Sequence, residues 1–200
     1  MDQILEYFGV LTGLLYLFLE IKQHRFMWVV GFVTSLIYVF VFYNSKFYAD
    51  MGLNVYYVLI SIYGFIAWYR ENKRAEASNK TNEGEPLLFQ HLRARVLLGV
   101  TGAFVAIYAI LAYGLDLFTD SPMPYGDALT TSLGIVATWM LARRIIEHWL
   151  FWIGINAICV YLYIKRGLHP TAFLYFCYMV LAVVGYFNWK KEGTYKDLDA

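Results

Sequence analysis

Glu147-His148-Trp149-Leu150-Phe151-Trp152-Ile153-Gly154-Ile155-Asn156 reads E-x-W-x-x-W-x-x-x-N and opens an apolar run. On a helix, Trp149, Trp152 and Asn156 stand at i, i+3 and i+7. At about 100° per residue they share one face, within roughly 60°. That face carries two large π surfaces and one amide that both donates and accepts. A flat, heteroaromatic, hydrogen-bonding ligand could use all three. The competing reading makes the tryptophans interfacial belt residues and Asn156 a helix–helix hydrogen bonder.

The chain around this stretch has the composition of a bilayer protein. Of its 200 residues 60% are hydrophobic and 16% charged, against about 25% charged in soluble domains. Mean hydropathy is +0.50. A net charge of +1 gives no reason to expect a nucleic-acid partner. Cys159 and Cys177 both lie in apolar runs, and the four histidines lack metal spacing. Neither a disulfide framework nor a metal site is expected, and no cofactor. The start, Met1-Asp2-Gln3, lacks a basic n-region, so the first apolar run reads as a retained helix.

A spanning helix needs ~20 mainly apolar residues. Seven candidates fit: Ile4–Ile21, Met27–Tyr43, Met51–Tyr69, Val96–Gly114, Ala128–Ala142, Glu147–Ile164 and Ala172–Trp189. The region Arg70–Arg95 is long and polar and reads as a mobile loop, with a short interfacial helix around Leu87–Arg95. Basic residues orient the set. Connections one, three and five and the C-terminal tail carry 13 Lys and Arg; the N-terminus and the other connections carry 3. The bias places the N-terminus outside and the C-terminus in the cytoplasm.

A gapless shift of 121 residues superposes the two ends of the chain. Gly13 falls on Gly134, Trp28 on Trp149, Tyr57 on Tyr178, Gly64 on Gly185, Trp68 on Trp189 and Glu71 on Glu192. Helices one to three match five to seven, with helix four between them. The expected architecture is an all-α integral membrane protein with a 3+1+3 parallel pseudo-repeat. Repeat 1 covers about 4–69, the loop 70–95, the linking helix 96–114 and repeat 2 about 128–190, all in one domain. Transporters use such repeats and bind their cargo near the midplane.

Polar residues inside spans are costly and therefore informative. In helix three, Asn54, Tyr57, Ser61, Gly64 and Trp68 form one stripe. Asn54 and Tyr57 read as ligand contacts, Ser61 and Gly64 as a packing seam. Glu147 is either a carboxylate favoured by the dipole at a helix N-terminus or an attractor for a cationic ligand. Glu20 reads as a boundary charge and Asp127 as an N-cap. No G-x-S-x-G, H-E-x-x-H, P-loop or G-x-G-x-x-G is present, and no run of charges forms a proton relay. The chain reads as a passive carrier and not as an enzyme. The rival classes are a membrane receptor or scaffold and an intramembrane enzyme.

Several motifs together resemble the Pnu family of bacterial vitamin transporters over nearly the whole length. They are Trp149-x-x-Trp152-x-x-x-Asn156, Tyr48-Ala49-Asp50, Thr119-Asp120-Ser121 with Pro124-x-x-Asp127-Ala128, and Trp139-Met140-Leu141-Ala142-Arg143 leading to Glu147. The resemblance implies a fold similar to SWEET proteins, a homotrimer, and a substrate at the midplane between the halves. It also implies facilitated diffusion of an unphosphorylated vitamin across the bacterial inner membrane, trapped by a cytoplasmic vitamin kinase. Riboside-carrying members resemble this chain in the W-x-x-W-x-x-x-N motif but have Gln ahead of the paired aromatics. Here Asn54 precedes Tyr56 and Tyr57. That departure and the Trp139–Arg143 run resemble the thiamine-transporting branch, so thiamine is expected first, nicotinamide riboside second, and riboflavin or another vitamin third. The expected substrate contacts are Trp149, Trp152, Asn156, Asn54, Tyr57, Tyr178 and Glu147.

Overall fold

The computed structural model describes residues 2–44, 48–78, 88–119, 122–192 and 194–195. These form seven α-helices: α1 (Asp2–Ile21), α2 (Met27–Asn44), α3 (Tyr48–Ser78), α4 (Ala94–Phe118), α5 (Pro124–Ala142), α6 (His148–Lys165) and α7 (His169–Glu192). Two short strands, β1 (Leu88–Phe89) and β2 (Thr194–Tyr195), pair in parallel. Among the described residues, four helical segments are long and apolar enough to cross a membrane: Met27–Asn44, Met51–Lys73, Ala94–Phe118 and Thr171–Lys191. Helices α5 and α6 meet the expected positions but carry hydroxyls, an amide and aromatic rings that lower their hydropathy. The hydroxyls of α5 are satisfied within the helix: Thr138 donates to the Gly134 carbonyl at 2.8 Å and Ser132 to Leu129 at 3.0 Å.

Two expectations change here. The polar region after Tyr69 is helical as far as Ser78, because Arg70-Glu71-Asn72-Lys73-Arg74-Ala75-Glu76 is rich in strong helix formers. The expected interfacial helix around Leu87–Arg95 is instead a strand and an extended segment, with α4 starting at Ala94. Residues 79–87, and with them part of the expected loop, lie outside the described residues, as do Asp120 and Ser121.

The chain forms two compact units, Met1–Leu87 and Leu88–Ala200. In the first, α2 packs on α3 and α1 on α2. In the second, α6 packs on α7 and on α5, and α5 packs on α4. A core of Val100, Val136, Met140 and Ile145 joins α4 to α5 and to the α5–α6 turn.

Each unit contains the same helix-ending turn. In the first, Gln23 takes φ 55°, its N–H donates to Glu20 O (2.9 Å) and the His24 N–H to Leu19 O (2.8 Å). In the second, Arg144 takes φ 54°, its N–H donates to Leu141 O (2.9 Å) and the Ile145 N–H to Met140 O (3.0 Å). Both are Schellman motifs, which need a left-handed residue just past the helix. Met140 and Ile145 share one apolar cluster, the hydrophobic contact such motifs carry. The paired positions are 121 residues apart.

Candidate functional site

Within the second unit the E-x-W-x-x-W-x-x-x-N stretch begins at the α5–α6 turn. The lower end of its face is closed by aromatic packing. Trp149 is fully buried and meets Trp189 edge-to-face, centroids 5.7 Å apart and planes at 84°. His148 lies between them, 4.8 Å from Trp149 and 4.9 Å from Trp189. A Cβ on Gly185 would stand 2.4 Å from the Trp149 ring, so only glycine lets α7 approach. Between helices in a bilayer the gain comes from such close dispersion contact.

The first unit repeats the arrangement. Trp28 and Trp68 are buried, with centroids 5.8 Å apart and planes at 86°. A Cβ on Gly64 would meet Trp28 at 2.5 Å. The indole N–H groups of Trp28 and Trp149 are both buried without a hydrogen-bond partner among the described residues.

One turn further along α6 the face changes character. Trp152 is only half-buried and packs against the cluster of Ala137, Ile155 and Cys159, beside Tyr163 and Tyr175. Asn156 is buried at 5% exposure. An amide in a low-dielectric setting gains strongly from a polar partner. Tyr178 meets Tyr175 edge-on at 5.8 Å, and Tyr175 meets Tyr163 at 5.0 Å. These rings extend the aromatic surface from Trp152 along α6 and α7.

Glu147 is occupied by its own chain. One carboxylate oxygen lies 2.8 Å from His91 Nδ1; the other accepts the Leu92 N–H at 2.9 Å. The same segment crosses the α5–α6 turn: Gln90 N–H donates to Arg144 O, Ile146 N–H donates to Gln90 O, and the buried Phe89 ring lies 4.8 Å from Trp189. The expected helix-dipole carboxylate is therefore a clasp on the chain entering α4. Asp127 does not cap α5 but sits inside its first turn, where Arg166 Nη2 donates to both its oxygens at 2.7 Å. Glu20 stands one residue before the end of α1 and is buried at 3% exposure.

In the first unit Asn54 and Tyr57 are half-buried on α3, and the Tyr56 and Tyr57 rings stand 5.5 Å apart. An apolar groove between α2 and α3 is lined by Trp28, Val29, Phe32, Ser61, Ile62, Phe65 and Ile66; neither Asn54 nor Tyr57 belongs to it. Basic side chains lie over aromatic rings near helix ends, as Arg25 over Tyr69 at 5.6 Å and Arg143 over Trp139 at 5.7 Å. Such pairs suit a membrane boundary. Among the described residues no cluster of three His, Cys, Asp or Glu side chains could hold a metal ion. Sequence reasoning missed Phe89, His91 and His148. It held Trp189 only as a repeat match, although its pairing at the same offset as Trp68 was the signal of a shared packing role.

Known proteins resemble the chain along nearly its full length. The family model described as "Nicotinamide mononucleotide transporter" matches residues 3–191. The nicotinamide riboside transporter PnuC of Neisseria mucosa is 28% identical over 197 residues, covering 95% of this chain and 73% of that one. Its namesake from Escherichia coli is 25% identical over 201 residues, covering 92% and 84%. A crystal structure of the vitamin B3 transporter PnuC superposes with a TM-score of 0.69 at 28% identity, covering 95% of this chain and 82% of that one.

Proposed function

The chain belongs to the nicotinamide mononucleotide transporter family, the Pnu family its motifs resemble, and on that premise we propose that it carries nicotinamide riboside across a membrane by facilitated diffusion. The observation that carries this reading is the pairing on α6 of a half-buried Trp152 with a buried Asn156 on the same helix face. The riboside is a flat cation with hydroxyls. It would stack on Trp152 with cation–π attraction and hydrogen-bond to Asn156. Tyr178, on α7 of the same unit, is a further contact; Asn54 and Tyr57 on α3 stay candidates on their sequence pattern. Trp149 and Glu147 hold the start of α6 and act on the ligand through it.

Thiamine, expected first from Asn54, has no support among the named relatives, which are riboside transporters. The riboside therefore takes its place. The matched Schellman turns and Trp–Gly–Trp packing support a 3+1+3 repeat within one transport domain. The 13 to 3 basic bias supports an outside N-terminus in a bacterial inner membrane. A homotrimer and trapping by a cytoplasmic kinase complete the reading by family resemblance.

Calorimetric titration with nicotinamide riboside tests it. Trp152→Ala and Asn156→Ala should each weaken binding at least about tenfold, with expression and elution volume unchanged. Wild-type affinity in both variants would remove the site.

A further inference from the structure

On α6 the face that carries Trp152 and Asn156 continues to Cys159 and Tyr163, in steps of three and four. Tyr163 stands eleven residues beyond Trp152, about 16 Å farther along the helix. There it meets α7. Its ring lies 5.0 Å from that of Tyr175 with the planes at 39°, and Tyr175 lies 5.8 Å from Tyr178 at 70°. Rings at such angles do not form one flat stack. All three are half-buried, so part of each stays open. Tyr163 and Tyr175 also pack, together with Trp152, against Ala137, Ile155 and Cys159. The tyrosines and Trp152 thus border one continuous surface inside the second unit.

The carboxylates around this surface are already engaged. From α5 to α7 they are Asp127, held by Arg166 at 2.7 Å; Glu147, 2.8 Å from His91; and Glu192, at the opposite end of α7 from Tyr175. Lys165 and Arg166 are taken as well, Lys165 lying over the Tyr161 ring at 5.7 Å. A cation reaching this surface meets aromatic faces first. The nitrogen that joins a nicotinamide ring to its sugar is quaternary and has no N–H to donate. Aromatic rings around such a centre recognise its charge where hydrogen bonds cannot. We propose that Tyr163, Tyr175 and Tyr178 form a second subsite for the transported cation, an aromatic cage that holds its ring between the α6–α7 turn and the Trp152–Asn156 face. The inference rests on the riboside reading above. It adds a separate station, because a ring stacked on Trp152 does not span the distance to Tyr163.

The test is flux of labelled nicotinamide riboside into liposomes holding the purified full chain, with melting temperatures recorded alongside. The variants are Tyr175→Leu, Trp152→Ala and Tyr175→Phe, the last also made with mono-, di- and trifluorinated phenylalanine at that position. Fluorine keeps the shape of the ring and drains charge from its face. KM should rise stepwise with each fluorine, and about three- to tenfold in Tyr175→Leu, at an unchanged melting temperature in the fluorinated series. A KM indifferent to fluorination, with Tyr175→Leu only melting earlier, would overturn the inference and leave Trp152 untouched. Trp152→Ala flux equal to wild type, or no riboside flux in the wild type, would overturn the reading beneath it and this inference together.

Discussion

The ring of Trp149 meets the ring of Trp189 edge-to-face at 5.7 Å, across a gap that only Gly185 leaves open. Trp28, Trp68 and Gly64 do the same in the other unit. Neither tryptophan pair can retreat, because all four rings are buried. Gly185→Ala and Gly64→Ala should therefore each destabilise the protein by about 1–3 kcal/mol, the usual cost of overpacking. Gly154→Ala, on the open side of α6 with nothing within 4 Å of its new Cβ, should be neutral or slightly stabilising. Thermal melts in detergent measure all three; equal melting temperatures across the set would refute the packing account.

The segment before α4 is held by Phe89 below and by Glu147 above. Phe89→Ala empties a buried site against Trp189 and should cost about 3 kcal/mol. Glu147→Ala should raise deuterium exchange at the Leu92 amide, which donates to the carboxylate at 2.9 Å. Unchanged exchange there would mean that the clasp does not form in solution.

Arg166 joins the C-terminal end of α6 to the first turn of α5 through Asp127. Both side chains are partly exposed, so solvent screening limits the gain. A double-mutant cycle with Asp127→Asn and Arg166→Gln should give a coupling of about 0.5–1 kcal/mol. Additive effects would leave the pair without weight.

The helices were legible because bilayer spans are long and apolar and because charges stop them. The repeat was legible because Trp28 and Trp149, and Gly64 and Gly185, stand at one offset. What sequence did not disclose were contacts made at a distance along the chain. Nothing near Glu147 points to His91 or Leu92, 56 and 55 residues away. Trp149 and Trp152 look alike in the motif, yet one is locked by Gly185 and the other is half-open. Periodicity gives the face of a helix, not what fills the space opposite.

The proposed orientation would put Lys73 and Leu168 on opposite sides of the membrane. In a cysteine-free background, a membrane-impermeant maleimide should label Leu168→Cys in intact cells and Lys73→Cys only after permeabilisation. Both residues are exposed, so access is not limited by packing. The reverse pattern would invert the orientation.

Transport itself is tested most directly by flux of labelled nicotinamide riboside into liposomes holding the purified protein, without nucleotide or ion gradient. The account predicts rapid equilibration to the outside concentration, competition by unlabelled riboside well before thiamine, and loss of flux in Trp152→Ala. Flux no faster than in protein-free liposomes, or thiamine competing first, would contradict it.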